Sequence, residues 1–218
     1  MKRSAPGVAA VATALLLGVT GCGTDAGASV SDVSTPTATK SLGPAAKAPR
    51  SSLAGLIVLP RGYIADSKSG SGPFNAAAFL DNWSAVPAVD RALLLNAGFI
   101  EGYRATRLSP DRKKRFTLQV FKAATPAKAK VLQEGFWNQD AHERSFNVPN
   151  ALTDARVEYD GGTGQSEAVA EASFVVGALV AELTIRQTGA LGTNPRPDIA
   201  LVAALARQQQ ARLTSTSS

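Results

Sequence analysis

Alternation of apolar and polar residues at period two is clearest in the second half of the chain. Within the segment 179–187 the alternate residues Leu179, Ala181, Leu183 and Ile185 are apolar. Period two is the spacing of one face of a strand. The segment 168–176 is rich in β-branched and aromatic residues, and Gly177 suits the first central position of a type II′ turn. We therefore predict an antiparallel hairpin with Val176 opposite Leu179, and the competing structure is a single helix through the glycine.

The middle of the chain predicts a strand–strand–helix unit of the same kind. Residues 99–108 and 115–122 read as strands, with turn-forming residues between them. Thr125 and Pro126 supply an N-cap and a first-turn proline for a helix that runs through Phe136. The remaining predicted elements are helices over 74–83, 87–96 and 198–212, a strand over 155–159, and either a strand or an entry segment packed on the domain edge over 56–59.

Two strand–strand–helix units predict an α+β domain with a mostly antiparallel sheet and helices mainly on one face. The order of elements looks like a duplicated unit and resembles PsbP-like α/β sandwiches. Together with Ala97-Gly98-Phe99 before a strand, it also resembles small exported lipoproteins of actinobacteria, a group of unknown function. These resemblances imply an architecture only, because one fold hosts many functions.

The first residues of the chain have the layout of a secretory signal. Lys2 and Arg3 form a positive region, and residues 8–19 are an apolar and small-residue run. As a helix, a run of about 12 residues would span roughly 18 Å, whereas a bilayer core is about 30 Å thick. A permanent transmembrane helix is therefore the weaker interpretation.

The apolar run ends at the only cysteine of the sequence, in the tetrad Val19, Thr20, Gly21 and Cys22. This tetrad resembles the lipobox of bacterial lipoproteins. The resemblance implies a thioether-linked diacylglycerol on Cys22, cleavage before Cys22, and a lipid-anchored protein on the outer face of the cell membrane. Because the motif uses the one cysteine, the domain has no intramolecular disulfide and depends on its core.

Composition separates a linker from a folded domain. Residues 23–52 are mainly Ser, Thr, Ala, Gly, Pro and Lys, without an aromatic residue. Such a segment buries too little apolar surface to offset chain entropy, so it predicts a flexible tether, with O-glycosylation of 34–39 as an open alternative. The predicted layout is a signal over 1–21, the lipidated cysteine and tether over 22–52, one domain over 53–213 and a disordered tail over 214–218.

The formal net charge of +6 is mild. A strong nucleic-acid binder usually concentrates more positive charge on one face, so we expect no nucleic-acid partner. The sharpest charge feature is the run Arg112, Lys113, Lys114 and Arg115 at a predicted turn. It could contact anionic lipid head groups or acidic polymers, although charge runs at turns are usually only solvated.

Catalytic and metal-binding patterns are weak. His142 is the only histidine and lies near a predicted helix end, where solvation or the helix dipole explains it. We therefore predict no catalytic residue, metal or cofactor. The glycine-rich segment 160–164 lacks the Lys-Ser/Thr of a phosphate loop and predicts a hairpin turn. Glu167 and Glu171 lie on one predicted strand without signs of acid–base work.

Three aromatic residues are candidates for a ligand cleft: Trp83, Phe136 and Trp137. Aromatic side chains favour pockets, although core packing is the default explanation for them in a chain with only 6% aromatic residues. The sequence therefore predicts a membrane-anchored, non-enzymatic binding or interaction module whose partner is a small apolar or amphiphilic molecule or an envelope protein. The alternative is an accessory subunit of an envelope complex without a ligand, and an envelope hydrolase is the weakest hypothesis.

Overall fold

The computed structural model describes residues 52–189 and 192–216, which build a seven-stranded sheet with four α-helices. The strands are β1 (Ile64–Ala65), β2 (Gly72–Phe74), β3 (Glu101–Leu108), β4 (Lys114–Lys122), β5 (Ala151–Asp160), β6 (Gln165–Val176) and β7 (Leu179–Thr188). The helices are α1 (Ala76–Asn82), α2 (Pro87–Ala97), α3 (Pro126–Trp137) and α4 (Ile199–Thr214), preceded by a 3₁₀ helix, Ser52–Leu56. The predicted signal, Cys22 and the tether up to residue 51 lie outside the described residues.

Every strand pair in the sheet is antiparallel. The strand order is β1-β3-β4-β7-β6-β5, and β2 pairs with β3 further along the same strand. The units β3-β4-α3 and β6-β7-α4 are the two predicted strand–strand–helix units. The predicted α+β class with an antiparallel sheet is therefore confirmed.

The hairpin of β6 and β7 has the predicted register. Val176 lies opposite Leu179, and Gly177 has φ of +57°. Among the described residues other than glycine, only Arg112 and Asn150 have positive φ, so Ala178 does not. A positive first and a negative second central residue are the signature of a type II′ turn rather than type I′. The helix alternative for this segment is excluded.

Local capping signals set the helix boundaries as expected. The side chain of Thr125 accepts a hydrogen bond from the Lys128 N–H at 3.2 Å, and α3 begins at the following proline. Gly98 ends α2 in the left-handed region with φ of +58°. Asp198 caps α4, which extends through Thr214, the first residue of the predicted tail.

The start of the domain differs from the strand interpretation. Residues 56–59 form no strand: they leave the 3₁₀ helix and pack on the core through Leu56, Ile57 and Val58. The Val58 N–H donates to Gln209 Oε1 at 2.7 Å, so the segment is attached to α4 instead of a neighbouring strand. The entry-segment interpretation is the correct one. The strands β1 and β2 were not predicted, because they are too short for a periodic pattern. Phe74 belongs to β2, so the helix expected over 74–83 begins only at Ala76.

Two hydrophobic clusters cover opposite faces of the sheet. On one face α4 packs on residues such as Leu118, Leu183 and Phe174. On the other face α1, α2 and α3 pack around Phe121 and Val180. Three of the four α-helices therefore lie on one face, as predicted. In the described part of the chain no helix is both long and apolar enough to cross a membrane.

Candidate ligand-binding cleft

The sheet face under α1 and α3 changes from apolar to polar along the strands. Next to Phe121 and Val180, the following row across the sheet consists of Arg104, Gln119, Glu182 and Ser173, which stand side by side on β3, β4, β7 and β6. Directly opposed residues of antiparallel strands project from the same face, at strand spacings of about 4.8 Å. We call Gln119, Glu182 and Ser173 the polar row, since these three line a cleft.

Buried polar atoms on this face lack hydrogen-bond partners. In the described part of the chain, the buried side-chain atoms without a partner are Arg104 Nε, Thr106 Oγ1, Gln119 Oε1 and Ser173 Oγ. Thr106 lies opposite Thr117 in the row next to the polar row, so all four atoms belong to one face. Each such atom costs about 1–3 kcal/mol, and native proteins usually avoid them. Their clustering on one face makes this face the candidate binding surface of the described domain.

Aromatic residues form the walls of this cleft, which has a volume of about 290 Å³. The structure places Trp83, Phe136 and Trp137, the three aromatic candidates, around the same space. Phe136 is 8% exposed and also contacts Phe79 and Phe121, so it belongs to the core as well. The chain contains two tryptophans, and both line the cleft. Their role in ligand binding stays a prediction.

Helix ends and ring stacking hold the two tryptophans in place. The backbone N–H of Trp83 donates to the backbone oxygen of Phe79 at the end of α1. The Arg104 guanidinium lies 5.0 Å from the centre of the Trp83 indole ring. Trp137 is the last residue of α3 and stacks on His142, with ring centres 4.1 Å apart and planes 9° from parallel. The single histidine therefore packs against a wall of the cleft. It follows the end of α3, near which it was expected, by five residues.

The cleft is acidic although the chain as a whole is basic. Its lining includes four carboxylates, Asp90, Asp140, Glu171 and Glu182, and one cation, Arg186. The Arg186 guanidinium already binds Glu167 at 2.8 Å and Glu158 at 3.2 Å. The electrostatic environment of the cleft thus favours positive charge.

Glu182 is the most perturbed acid of the cleft. It is partly buried, makes no hydrogen bond or ion pair with another described residue, and is flanked by Gln119 and Ser173. Burial, and then the nearby charges of Glu171, Asp140 and Asp90, raise the pKa of Glu182 to about 8. The carboxyl group is therefore mainly protonated at neutral pH in the free protein.

Arg156 organises a second acidic group at the edge of the cleft. Its Nη1 atom lies 2.8 Å from Asp154 Oδ2 and 2.5 Å from Glu171 Oε1, and its Nε atom lies 2.7 Å from Glu158. Burial acts to raise the pKa of Asp154, but hydrogen bonds from Arg156 and two backbone N–H groups outweigh it and lower that pKa. Burial raises the pKa of Glu171, and Arg156 only partly opposes this effect.

His142, Asp154 and Glu171 have ligand-type atoms within 4.8 Å of one another, a cluster that sequence spacing did not show. The three residues offer the nitrogen and oxygen ligands of a divalent metal site. However, Arg156 Nη1 already bridges the two carboxylates and supplies the positive charge there. We therefore interpret the cluster as an ion-pair centre of the fold.

The other residues considered in the sequence have separate environments. Lys114 binds Asp198 at 2.6 Å and Arg115 binds Asp66 at 3.4 Å, whereas Arg112 and Lys113 are exposed in the turn. Contact of these four cations with lipid head groups or acidic polymers stays a prediction. Residues 160–164 connect β5 to β6, and the hairpin interpretation is correct.

Sequence reasoning missed the polar row. The alternation along 179–187 shows that Glu182 faces away from the apolar side, but it does not show which strands flank β7. Gln119 comes from a distant segment that becomes a neighbour only in the folded sheet. The available signal was the presence of a polar residue on the same face of each of three strands, at Gln119, Glu182 and Ser173.

Comparison with known proteins identifies no family for this chain. No protein-family model matches the chain, and no curated protein matches it. Among solved structures, the chain is similar to the extracellular domain of PknH from Mycobacterium tuberculosis, with a TM-score of 0.38 and 12% sequence identity. The similarity covers 71% of this chain and 80% of that one.

Proposed function

We propose that this protein is a lipid-anchored, extracytoplasmic binding module that holds a small molecule in the cleft without transforming it. The observation that carries the proposal is the polar row at the floor of an aromatic-walled cleft. Small-molecule sites typically combine aromatic walls with a few convergent polar groups. The cleft volume of about 290 Å³ suits a ligand of modest size.

The energetics of the polar row support a binding role. Ser173 is 1% exposed, yet its Oγ atom has no hydrogen-bond partner, and Gln119 Oε1 is in the same condition. Apolar side chains of similar shape would relieve this cost. A ligand that hydrogen-bonds these atoms would recover the lost free energy on binding. Ligand binding would therefore explain why these positions carry polar side chains.

The amphiphilic character of the cleft refines the ligand class expected from the sequence. Its floor carries hydrogen-bonding groups and carboxylates, and its walls carry indole and phenyl rings. A purely apolar molecule would leave the polar row unpaired. An amphiphilic ligand, with one polar end on the floor and an apolar body between the rings, fits better.

A binding role without catalysis is supported by the surroundings of the candidate reactive groups. A nucleophilic serine needs a base within hydrogen-bond reach, and Ser173 Oγ makes no hydrogen bond. His142 is engaged elsewhere: it stacks on Trp137, and its Nε2 atom lies 2.8 Å from Trp137 O. Among the described residues, neither Ser173 nor His142 is therefore arranged as part of a nucleophile–base pair.

The anchor rests on Val19, Thr20, Gly21 and Cys22 alone. Their resemblance to a lipobox supports a diacylglycerol on Cys22 and a cell-membrane location on the outer face. A tether of about 30 residues would have a reach of roughly 30 Å. The cleft would then sample molecules near the membrane surface.

The alternative function, an accessory subunit without a ligand, would use exposed apolar surface. An apolar groove between α1 and α2 has the exposed side chains Leu95, at 75%, and Ile100, at 57%, on or beside it. Arg91 is its one charged lining residue, so little in the groove selects a partner. The cleft has more selective chemistry and therefore takes precedence.

Mass spectrometry of small molecules retained by the protein tests the proposal. The full-length protein is isolated from its native membrane, and its extract is compared with that of a Gln119→Leu/Ser173→Ala double variant. We expect a compound that copurifies with the wild type at about one equivalent and is depleted in the variant. A variant as stable as the wild type that retains the same compounds would refute the proposal, as would a wild type without any.

A further inference from the structure

We propose that the ligand of the cleft is a small organic cation, a primary ammonium group on an aromatic or apolar body. This inference rests on the proposed function and adds the chemical class of the ligand. Charge, hydrogen-bonding capacity and the aromatic walls support it independently.

Charge complementarity is the first argument. Of the four carboxylates that line the cleft, only Glu171 has a cationic partner, Arg156, within ion-pair distance. Asp90 accepts hydrogen bonds from two neutral groups, the Ser84 hydroxyl and the Gln139 amide. Glu182 has no hydrogen-bond or ion-pair partner within residues 52–189 and 192–216. The one lining cation, Arg186, is already paired with Glu167 and Glu158, and Arg104 lies over the Trp83 ring. The carboxylates of the lining therefore attract a cationic ligand more strongly than an anionic one.

The hydrogen-bonding capacity of the floor is the second argument. The unpartnered atoms Gln119 Oε1 and Ser173 Oγ are acceptors on either side of the Glu182 carboxyl group. A primary ammonium group carries three N–H donors and no acceptor. It can therefore donate to the acceptors of the polar row. Its positive charge would pair with the Glu182 carboxylate once that group ionises. Ser173 is almost completely buried, and its Oγ atom can accept one of these N–H donors.

The aromatic walls are the third argument. Cations bind the faces of indole rings with useful strength when water is excluded. The Trp83 ring already binds one cation of the chain, since the Arg104 guanidinium lies 5.0 Å from its centre. Trp137 and Phe136 add ring surface around the same space. Rings on the walls and acceptors on the floor would hold the two ends of one amphiphilic cation.

The raised pKa of Glu182 agrees with this picture and makes it measurable. The charged groups around its carboxyl group are Asp90 on α2, Asp140 after α3, Glu171 on β6, Arg186 on β7 and Arg104 on β3. A bound cation would let Glu182 ionise, so binding would release a proton below pH 8. Affinity for the cation should then rise by up to tenfold per pH unit below that value and level off above it.

A matched set of probes separates charge from shape. Phenethylamine, 2-phenylethanol and phenylacetate share one body and differ in the charge of one end. Tryptophan fluorescence of the full-length protein reports the titrations, since both tryptophans line the cleft. We expect phenethylamine to bind at least tenfold more tightly than the alcohol, and phenylacetate most weakly. The amine stays protonated from pH 6 to about pH 9, as lysine does, so a rise of affinity with pH reports on the protein.

Two variants complete the experiment. Glu182→Gln should weaken amine binding about tenfold at pH 8, abolish its pH dependence and leave alcohol binding unchanged. The matched control is Glu134→Gln on the exposed surface of α3, which should change neither. Equal or tighter binding of the alcohol or acid, or an unchanged amine affinity in Glu182→Gln, would overturn the cation proposal while the binding module stands. Absence of binding by all three probes would also overturn it, and the copurification experiment then decides separately whether the cleft binds another class.

Discussion

Replacement of Glu182 by glutamine should stabilise the protein, and the gain should grow with pH. Glutamine keeps the size of the side chain and removes the charge. The carboxyl group lies on the cleft floor without a partner, and its pKa is raised from 4.5 to about 8. The substitution therefore removes an unfavourable ionisation that the folded protein resists.

The magnitude follows from the pKa difference between the folded and unfolded states. The value in the folded protein exceeds the ordinary one by about 3.5, and each pH unit corresponds to about 1.36 kcal/mol. This sets an upper limit of about 5 kcal/mol. Since the residue is only partly buried and water reaches the cleft, we expect about 2 kcal/mol.

The sign is fixed by proton binding. Between pH 4.5 and 8 the folded state holds the Glu182 proton more tightly than the unfolded state, so this group's contribution to stability is largest below pH 4.5 and is lost as pH rises to 8. Urea unfolding of the wild type and Glu182→Gln at pH 5, 7 and 8.5 measures the difference in free energy of unfolding. The difference should increase with pH, while exposed Glu134→Gln should show no such trend. A difference that is constant across the three pH values would refute the reasoning.

Three further predictions concern the fold and the anchor. Gly177→Val should lower the free energy of unfolding by about 1–2 kcal/mol, because a β-branched residue resists the φ of +57°. The control Gly161→Val, in the neighbouring hairpin turn, should cost less than about 0.5 kcal/mol. Equal effects of the two substitutions in urea unfolding would contradict the turn assignment. Arg156→Met should lower the free energy of unfolding by about 3–5 kcal/mol, because it leaves the fully buried Asp154 without its cation. The double variant Asp154→Asn/Arg156→Met should recover part of this loss in urea unfolding. No recovery would exclude the ion pair as the cause. Cys22→Ser should leave the protein unprocessed or mislocalised, because serine forms no thioether; detergent partitioning that matches the wild type would rule out the lipid anchor.

Periodic and capping signals account for the parts of the fold that could be predicted. The register of Val176 with Leu179 followed from one glycine and two alternating segments. Thr125 and Gly98 marked helix ends because their local chemistry acts within a few residues. The short strands β1 and β2 escaped because two or three residues carry no period and depend on the edge of β3 for their hydrogen bonds.

The cleft could not be predicted from the sequence, because its floor depends on which strands become neighbours in the folded sheet. Trp83, Phe136 and Trp137 were recognisable by residue type, but core packing was the default explanation until the helices were placed. The floor required the order β4-β7-β6, which brings Gln119 beside Glu182 across more than sixty residues of chain. Its diagnostic property, buried polar atoms without partners, exists only in the folded protein.

Titration of a small-molecule extract of the native envelope into the protein tests the binding role of the cleft most directly. The protein is first unfolded in urea, dialysed to remove bound compounds and refolded, and the emission of its two tryptophans is then followed. A saturable change in emission is predicted for the wild type, with loss of that change in Gln119→Leu/Ser173→Ala. No saturable change in the wild type, or the same change in the variant, would contradict a ligand site on the polar row.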